Sequence, residues 1–366
     1  MSSAMSSAKN NIVNITIFAI VVTICVLIAV YIYKISNQNS KNCTNMANLY
    51  SGFPTISNLV VPPNTQPCIR DYYIKTAYNC CSAGNFKNDF VNVCALKTCI
   101  QQGVRCLDFE IYSINNKPVI AVSSNLDFYT KQSLNFVPFA DAMTIITNYA
   151  FSSATCPNPN DPLILHFRIM SNHIDIYNAM ANTLGDAFPA QMLLDSSYSY
   201  ESNGVNFGMT PITSLLGKII ISVDKTNPLF ESTDLDEYVN IASNSQFMRA
   251  LQFTAGVKNT PDMNELINFN KKHMTICLPD LNKNPINSSA PLAFSYGCQM
   301  VAMCFQNNDS NLIFYNEEFN KANTAFILKP AELRYIPVTV DIPPPPPLEY
   351  SYQTRPVTSD FYSFSV

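Results

Sequence analysis

Asp108 and Glu110 stand two residues apart in the stretch Gly103-Val104-Arg105-Cys106-Leu107-Asp108-Phe109-Glu110-Ile111-Tyr112. The stretch reads as a buried strand. Side chains alternate along a strand, so the two carboxylates share one face while Leu107, Phe109 and Ile111 share the other. Two acids on one face of an apolar strand repel each other and resist burial unless a cation lies beside them. A metal ion in that place would equip the site for catalysis; a fixed basic side chain would fill it with an ion pair.

The elements that must hold such a site are legible as apolar runs. Strands are predicted over 71–78, 104–112, 118–123, 163–169, 218–223, 274–278 and 299–305, and helical spacing runs over 139–151 and 175–188. Alternating strand and helix over this length suits a (β/α) barrel, with a doubly wound open sheet as the alternative. No glycine-rich phosphate loop follows any of these strands, which counts against a nucleotide-binding sheet. The chain is 47% hydrophobic and 13% charged, enough apolar material for a large core, and its net charge of −4 leaves no basic footprint for nucleic acid.

Residues 15–33 form an almost unbroken apolar run, and with its flanks (12–34) it is long enough to cross a bilayer as a helix. Tyr31, Tyr33 and Lys34 make an interfacial edge. A cleaved signal peptide is the competing reading, disfavoured by the length of the run and by the lack of a small-x-small site after it. Residues 1–11 are polar, and 35–66 read as an asparagine- and proline-rich stalk. The lysine count around the span slightly favours a cytosolic main domain. Twelve cysteines and the sequons at Asn42, Asn287 and Asn308 favour a lumenal or exterior one, which we expect. The cysteines from Cys43 to Cys99 are the disulfide candidates. Cys106, Cys298 and Cys304 read as small buried hydrophobes. Asp341-Ile342-Pro343-Pro344-Pro345-Pro346-Pro347-Leu348-Glu349 reads as polyproline II, either a spacer or a ligand for a polyproline-binding partner.

Two distant stretches together resemble the phosphoinositide-specific phospholipase C family. The X-like part holds the Asp108/Glu110 strand, then Lys117-Pro118-Val119-Ile120, Asp161-Pro162-Leu163-Ile164-Leu165 and Leu216-Gly217-Lys218-Ile219-Ile220. The Y-like part holds Gly297-Cys298-Gln299-Met300-Val301-Ala302-Met303-Cys304-Phe305-Gln306 and Phe326-Ile327-Leu328-Lys329-Pro330-Ala331-Glu332-Leu333-Arg334. The resemblance implies a distorted TIM (β/α)8 barrel, here preceded by one transmembrane helix, with half barrels over 67–232 and 233–337 and a proline-rich tail over 338–366. It also implies a chemistry in which two histidines move protons and a calcium ion, held by Asn, Glu and Asp side chains, activates the nucleophile.

Carried over residue by residue, that machinery is degenerate. The first histidine falls on Lys75, the calcium-binding asparagine on Thr76, the second histidine on Val122 and a glutamate on Arg168. Two substrate ligands fall on Ile276 and Leu278. Asp108 and Glu110 survive. The chain has only three histidines. His166 reads as a core residue, His173 as able to reach the barrel mouth, and His273 as exposed. Lys75 and Arg168 would supply the two positive charges of the lost calcium, so the expected site is an ion-pair cluster of Lys75, Arg168, Asp108 and Glu110, with no metal and no cofactor. The implied function is a membrane-anchored, catalytically inactive phospholipase C-like module that binds membrane lipid or a membrane-associated protein. Its low-charge, single-span composition would also suit the envelope of a large DNA virus. The alternative is an active hydrolase of phosphatidylinositol, calcium-dependent, in which Lys75 or His173 replaces a histidine.

Overall fold

The computed structural model describes residues 2–50, 52–62, 65–125, 130–200, 205–337 and 354–366. They divide into two units between Tyr335 and Ile336. The polyproline segment 341–349 lies outside the described residues.

The first unit opens on α1 (Ser2–Leu49) and the strand β1 (Tyr72–Ala77), followed by α2 (Val93–Gln101), β2 (Cys106–Ile114), β3 (Lys117–Ile120), β4 (Val137–Pro138), α3 (Phe139–Tyr149), β5 (Leu163–Ile169), α4 (Ile174–Ala187) and β6 (Ile219–Asp224). Then come β7 (Ile241–Ser243), β8 (Met248–Gln252), α5 (Met263–Lys272), β9 (Met274–Leu278), α6 (Ala290–Ser295), β10 (Met300–Met303), α7 (Ser310–Ala322) and β11 (Phe326–Leu328). The second unit holds one antiparallel pair, β12 (Pro356–Thr358) and β13 (Ser363–Ser365).

Eight parallel strands stand in the order β7-β6-β5-β2-β1-β10-β9-β8 and curl into a nearly closed TIM-like barrel with helices around it. Strands covered on both faces need no alternation of polar and apolar residues. Accordingly all six residues of β1, all seven of β5 and all five of β9 are buried. No ladder joins β7 to β8 among the described residues. Only four residues connect them, far short of the crossover that a neighbouring parallel pair requires. Asn244, in the left-handed region at φ 58°, spans the seam instead, its Oδ1 accepting from Ala250 N at 3.1 Å.

The predicted strand 118–123 is a correction: β3 pairs antiparallel with β2 outside the barrel. The two-residue turn Asn115-Asn116, both at positive φ, makes a hairpin of them. β7 and β8 were not predicted. They are short, and four of the five residues of β8 are only half-buried, so neither carries a clear period.

The apolar run does not end in a loose stalk. Helix α1 is 48 residues long and continues unbroken from the apolar segment to Leu49. From Val13 it is long and apolar enough to cross a membrane, and residues 13–34 are exposed. Its second half docks on the barrel. Asn39 Oδ1 accepts from Asn92 Nδ2 at 3.1 Å, Asn42 Nδ2 donates to Asp89 Oδ1 at 2.7 Å, Cys43 is disulfide-bonded to Cys94, and Met46 is buried. Asn92 caps the N-terminus of α2. That end of α2 lies at the C-terminal ends of the strands, the mouth of the barrel, where sites of this fold are built. Further on, Gly52 accepts from Gln102 at the opposite end of α2. Helix α1 therefore descends beside α2 away from the mouth, and its apolar half projects out on the mouth side. Cys106, Cys298 and Cys304 are free and fully buried in the barrel wall.

Candidate functional site

Register brings the site together. β2 pairs with β5 so that Asp108 lies opposite His166 and Glu110 opposite Arg168, and β5 pairs with β6 so that His166 lies opposite Ser222. These residues share one parity and face the barrel interior. Arg168 sits between the two acids. Its Nε donates to Asp108 Oδ1 at 2.9 Å, Nη2 to Asp108 Oδ2 at 2.8 Å and Nη1 to Glu110 Oε1 at 2.8 Å. Nη2 also donates to Asn79 Oδ1 at 2.9 Å. The Tyr78 ring covers the guanidinium at 4.7 Å.

The remaining carboxylate lone pairs are satisfied by four residues, His166, Asn79, Tyr112 and Ser123. Asp108 Oδ1 faces His166 Nδ1 at 2.7 Å, and His166 Nε2 faces Ser243 Oγ at 2.9 Å, which suits an Nδ1–H tautomer with Nε2 accepting from the hydroxyl. Asp108 Oδ2 accepts from Asn79 N at 3.2 Å. Glu110 Oε1 accepts from Asn79 Nδ2 at 3.3 Å, and Oε2 from Tyr112 OH at 3.1 Å and Ser123 N at 2.9 Å. Asn79 follows β1 at φ 45°, a left-handed conformation that asparagine tolerates well. That turn aims both its amide and its side chain at the acids.

The cluster is dry: Asp108 and His166 are 0% exposed, Glu110 1% and Arg168 5%. Burial works to raise the Asp108 carboxyl. The charge of Arg168 and the hydrogen bonds from His166 and Arg168 outweigh it and hold the group well below the usual carboxylate range. Burial likewise works against the Arg168 charge, and Asp108, Tyr78 and Glu110 more than compensate. Desolvating this many charges costs about as much as their attraction returns, so the cluster's worth lies in what happens when one member is removed.

Lys75 does not join it. β1 pairs with β2 at Thr76↔Cys106, which gives Lys75 the opposite parity. Its Nζ donates to Gln102 O at 2.8 Å, between barrel wall and α2, beside the Phe305 ring. Burial lowers its pKa to about 7. The expected pair of cations is thus a single one, Arg168. Thr76 is buried with its hydroxyl on Ile74 O, so it is no substitute for an amide ligand. An asparagine does stand against the acids, Asn79, three residues after Thr76, and Tyr78 precedes it. The signal that could have found it is its position: a polar residue directly after the C-terminal end of a barrel strand. Val122 is buried and carries no titratable group, although its neighbour Ser123 supports Glu110. His173 lies exposed at the start of α4, on the mouth side, and His273 caps the end of α5 at the opposite end of the barrel.

Above the cluster the mouth holds a cavity of about 220 Å³, lined by Arg168, Met170, Asp224, Asn244, Gln252 and Leu278. The residues do not fit a calcium ion. All four carboxylate oxygens of Asp108 and Glu110 already accept from protein donors, and a guanidinium occupies the space that Asn79, Asp108 and Glu110 enclose. Calcium takes six to eight oxygen ligands, and here the oxygens are spent on nitrogen and hydroxyl donors. The site can hold a charge and shape a small polar mouth. Its one histidine among the described residues, His166, has both ring nitrogens engaged, on Asp108 and Ser243.

The solved structures of PLC21 from L. pealei and S. officinalis are similar to this chain, each at 19% identity with a TM-score of 0.61. The matches cover 74% and 76% of this chain, which spans 38% and 39% of those longer proteins. No curated protein matches the chain. The family models "Phosphatidylinositol-specific phospholipase C, X domain" and "Phosphatidylinositol-specific phospholipase C, Y domain" match residues 65–225 and 221–332. The two halves meet on β6 and together span the barrel from the approach to β1 through β11. With both halves of the barrel accounted for, the chain belongs to the phosphatidylinositol-specific phospholipase C family.

Proposed function

We propose that this chain is a membrane-anchored member of the family that does not hydrolyse phosphodiesters and acts as a binding or structural module at a membrane surface. One observation carries the reading: Arg168 fills the space between Asn79, Asp108 and Glu110. An arginine there cannot lower a hydroxyl's pKa by coordination as a divalent ion does, and at this burial it cannot leave without stranding two carboxylates. Lys75, on the wrong face, offers no replacement for a histidine.

The anchor reading draws support from α1. A bilayer holding residues 15–33 would face the barrel mouth. From Tyr33 to the docking contact at Asn39 is about 9 Å along the helix axis, so the mouth would stand close over the headgroups. The ligand would then be a membrane lipid or a membrane-associated protein.

Purified full-length chain presented with phosphatidylinositol vesicles is expected to release no inositol phosphate above the blank, with or without calcium. Release in either condition would overturn the inactive reading, and calcium-dependent release would favour the alternative in which His173 serves.

The expected lumenal or exterior orientation has its own test. Asn287 is 2% exposed, its Nδ2 donating to Asn307 O at 2.9 Å and its Oδ1 accepting from Cys304 N at 2.6 Å. Asn42 is half-buried, with its amide on Asp89. Asn308 is exposed. In chain expressed in a glycosylating host, a glycosidase mobility shift is expected in the folded protein, lost in Asn308→Gln and kept in Asn287→Gln. No shift at all would place the barrel on the cytosolic side.

A further inference from the structure

Helix α1 and the barrel rim enclose a second crevice, distinct from the mouth and about 640 Å³ in volume. Tyr33, Lys34, Gln38 and Lys41 line it from the helix, and Asn85 and Asp89 from the loop between β1 and α2. Lys34 and Lys41 are seven residues apart, hence on one face, about 10 Å apart along the axis. Long lysine stems can close that interval around one small anion. Both lysines are exposed, and neither has an ion-pair partner among the described residues.

The one carboxylate in the crevice does not neutralise them. Asp89 is 3% exposed; its Oδ1 accepts from Asn42 Nδ2 at 2.7 Å and Phe90 N at 2.9 Å, and its Oδ2 from Asn85 N at 2.9 Å. With two lysines against this one carboxylate, the net charge facing the crevice is positive, and amide groups of Gln38 and Asn37 stand beside it. The crevice also begins where the apolar run ends, at Tyr33 and Lys34. Tyrosine and lysine at that level are the residues that sit among lipid headgroups.

We propose that this crevice binds the phosphate of an anionic lipid headgroup, held between Lys34 and Lys41 at the junction of anchor helix and barrel. The proposal rests on the membrane-anchored reading, and its test separates the two. Carbonate extraction of membranes carrying the full chain reads the anchor alone, and a chain released by carbonate would end that reading. Binding is read on the detergent-solubilised full chain by titration with dihexanoylphosphatidylglycerol, dihexanoylphosphatidylcholine or inorganic phosphate, in wild type, in Lys34→Gln/Lys41→Gln and in the control Lys258→Gln.

The expected result is saturable binding of the glycerol lipid, at least ten-fold weaker in the double variant, unchanged in the control, and weaker for the choline lipid. Competition by inorganic phosphate at equal strength would keep the phosphate site and assign it to a soluble ligand. Equal binding of the glycerol lipid by wild type and double variant would overturn the proposal. Both lysines are exposed, so loss of fold does not confound the comparison; circular dichroism of the variant checks this directly.

Discussion

Arg168→Glu is expected to lose about 3–5 kcal/mol of stability in the presence of chelator, the cost typical of breaking a buried ion pair, and to recover much of it in millimolar calcium. The loss follows from the geometry. Arg168 makes four hydrogen bonds to Asp108, Glu110 and Asn79, all of them buried. Replacing it with a third carboxylate leaves three like charges in a dry cluster. The recovery follows from the same residues. Asn79, Asp108, Glu110 and the introduced carboxylate present hard oxygen donors converging on one point, the ligand type that calcium takes.

A ligand that binds only the folded state stabilises it by about 2.7 kcal/mol at a hundred times its dissociation constant, so urea midpoints with and without calcium separate the variant from wild type. Arg168→Met is the control: destabilised, with two carboxylates and little gain from calcium. A variant as stable as wild type in chelator would show that the cluster carries no net interaction.

The native cluster has a pH signature of definite sign. Asp108 is held below its unfolded value of about 3.9. Its contribution is complete above that pH and is lost as the pH falls through the folded value.

Lys75→Met is expected to make the protein more stable at pH 7, by about 3 kcal/mol after the loss of one hydrogen bond to Gln102 O of about 1 kcal/mol is deducted. Burial lowers this lysine to about 7, whereas the unfolded chain titrates near 10.4. Between these values the unfolded state holds a proton that the folded state has shed. Stability therefore rises with pH across that window, by at most ~1.4 kcal/mol per pH unit. Below pH 7 both states are protonated and the folded state bears the whole cost of burying the charge.

Lys329, also lowered to about 7 by burial, contributes a slope of the same sign. The buried thiols of Cys81, Cys106 and Cys304, pushed up by burial, act oppositely above about 8.5, where unfolded thiols ionise. The readout is accordingly the difference between wild type and Lys75→Met in urea unfolding from pH 6.5 to 9.5. It is expected to narrow steadily as pH rises. A difference independent of pH would mean that Lys75 is not buried as a strained cation.

These two residues mark what was legible in the sequence. The shared face of Asp108 and Glu110 is a property of one strand and could be read locally. Their meeting with Arg168 followed from the family resemblance, and the β2–β5 register delivers it. The face of Lys75 could not be read, because every residue of β1 is buried and no alternation marks its inside. The outward face of a barrel strand lies under helices and is as dry as the inward one, and here α2 covers Lys75.

Asn79 escaped notice for a related reason. It lies just past the strand, and only the left-handed turn there aims it back at the acids. Short strands were the other blind spot: β7 and β8 owe their place to the seam at Asn244, a tertiary contact, and not to a hydrophobic period. The continuity of α1 was hidden by composition. Asparagine and serine after Lys34 suggest a loop, but the docking contacts of Asn39, Asn42, Cys43 and Met46 stabilise helix where propensity alone would not.

Calcium titration of the unmodified full-length protein by calorimetry bears most directly on whether a fixed guanidinium has taken the place of a bound divalent ion. With Arg168 seated on Asp108 and Glu110, no saturable heat is expected up to millimolar calcium. Stoichiometric binding at micromolar calcium, abolished in Asp108→Asn, would contradict it.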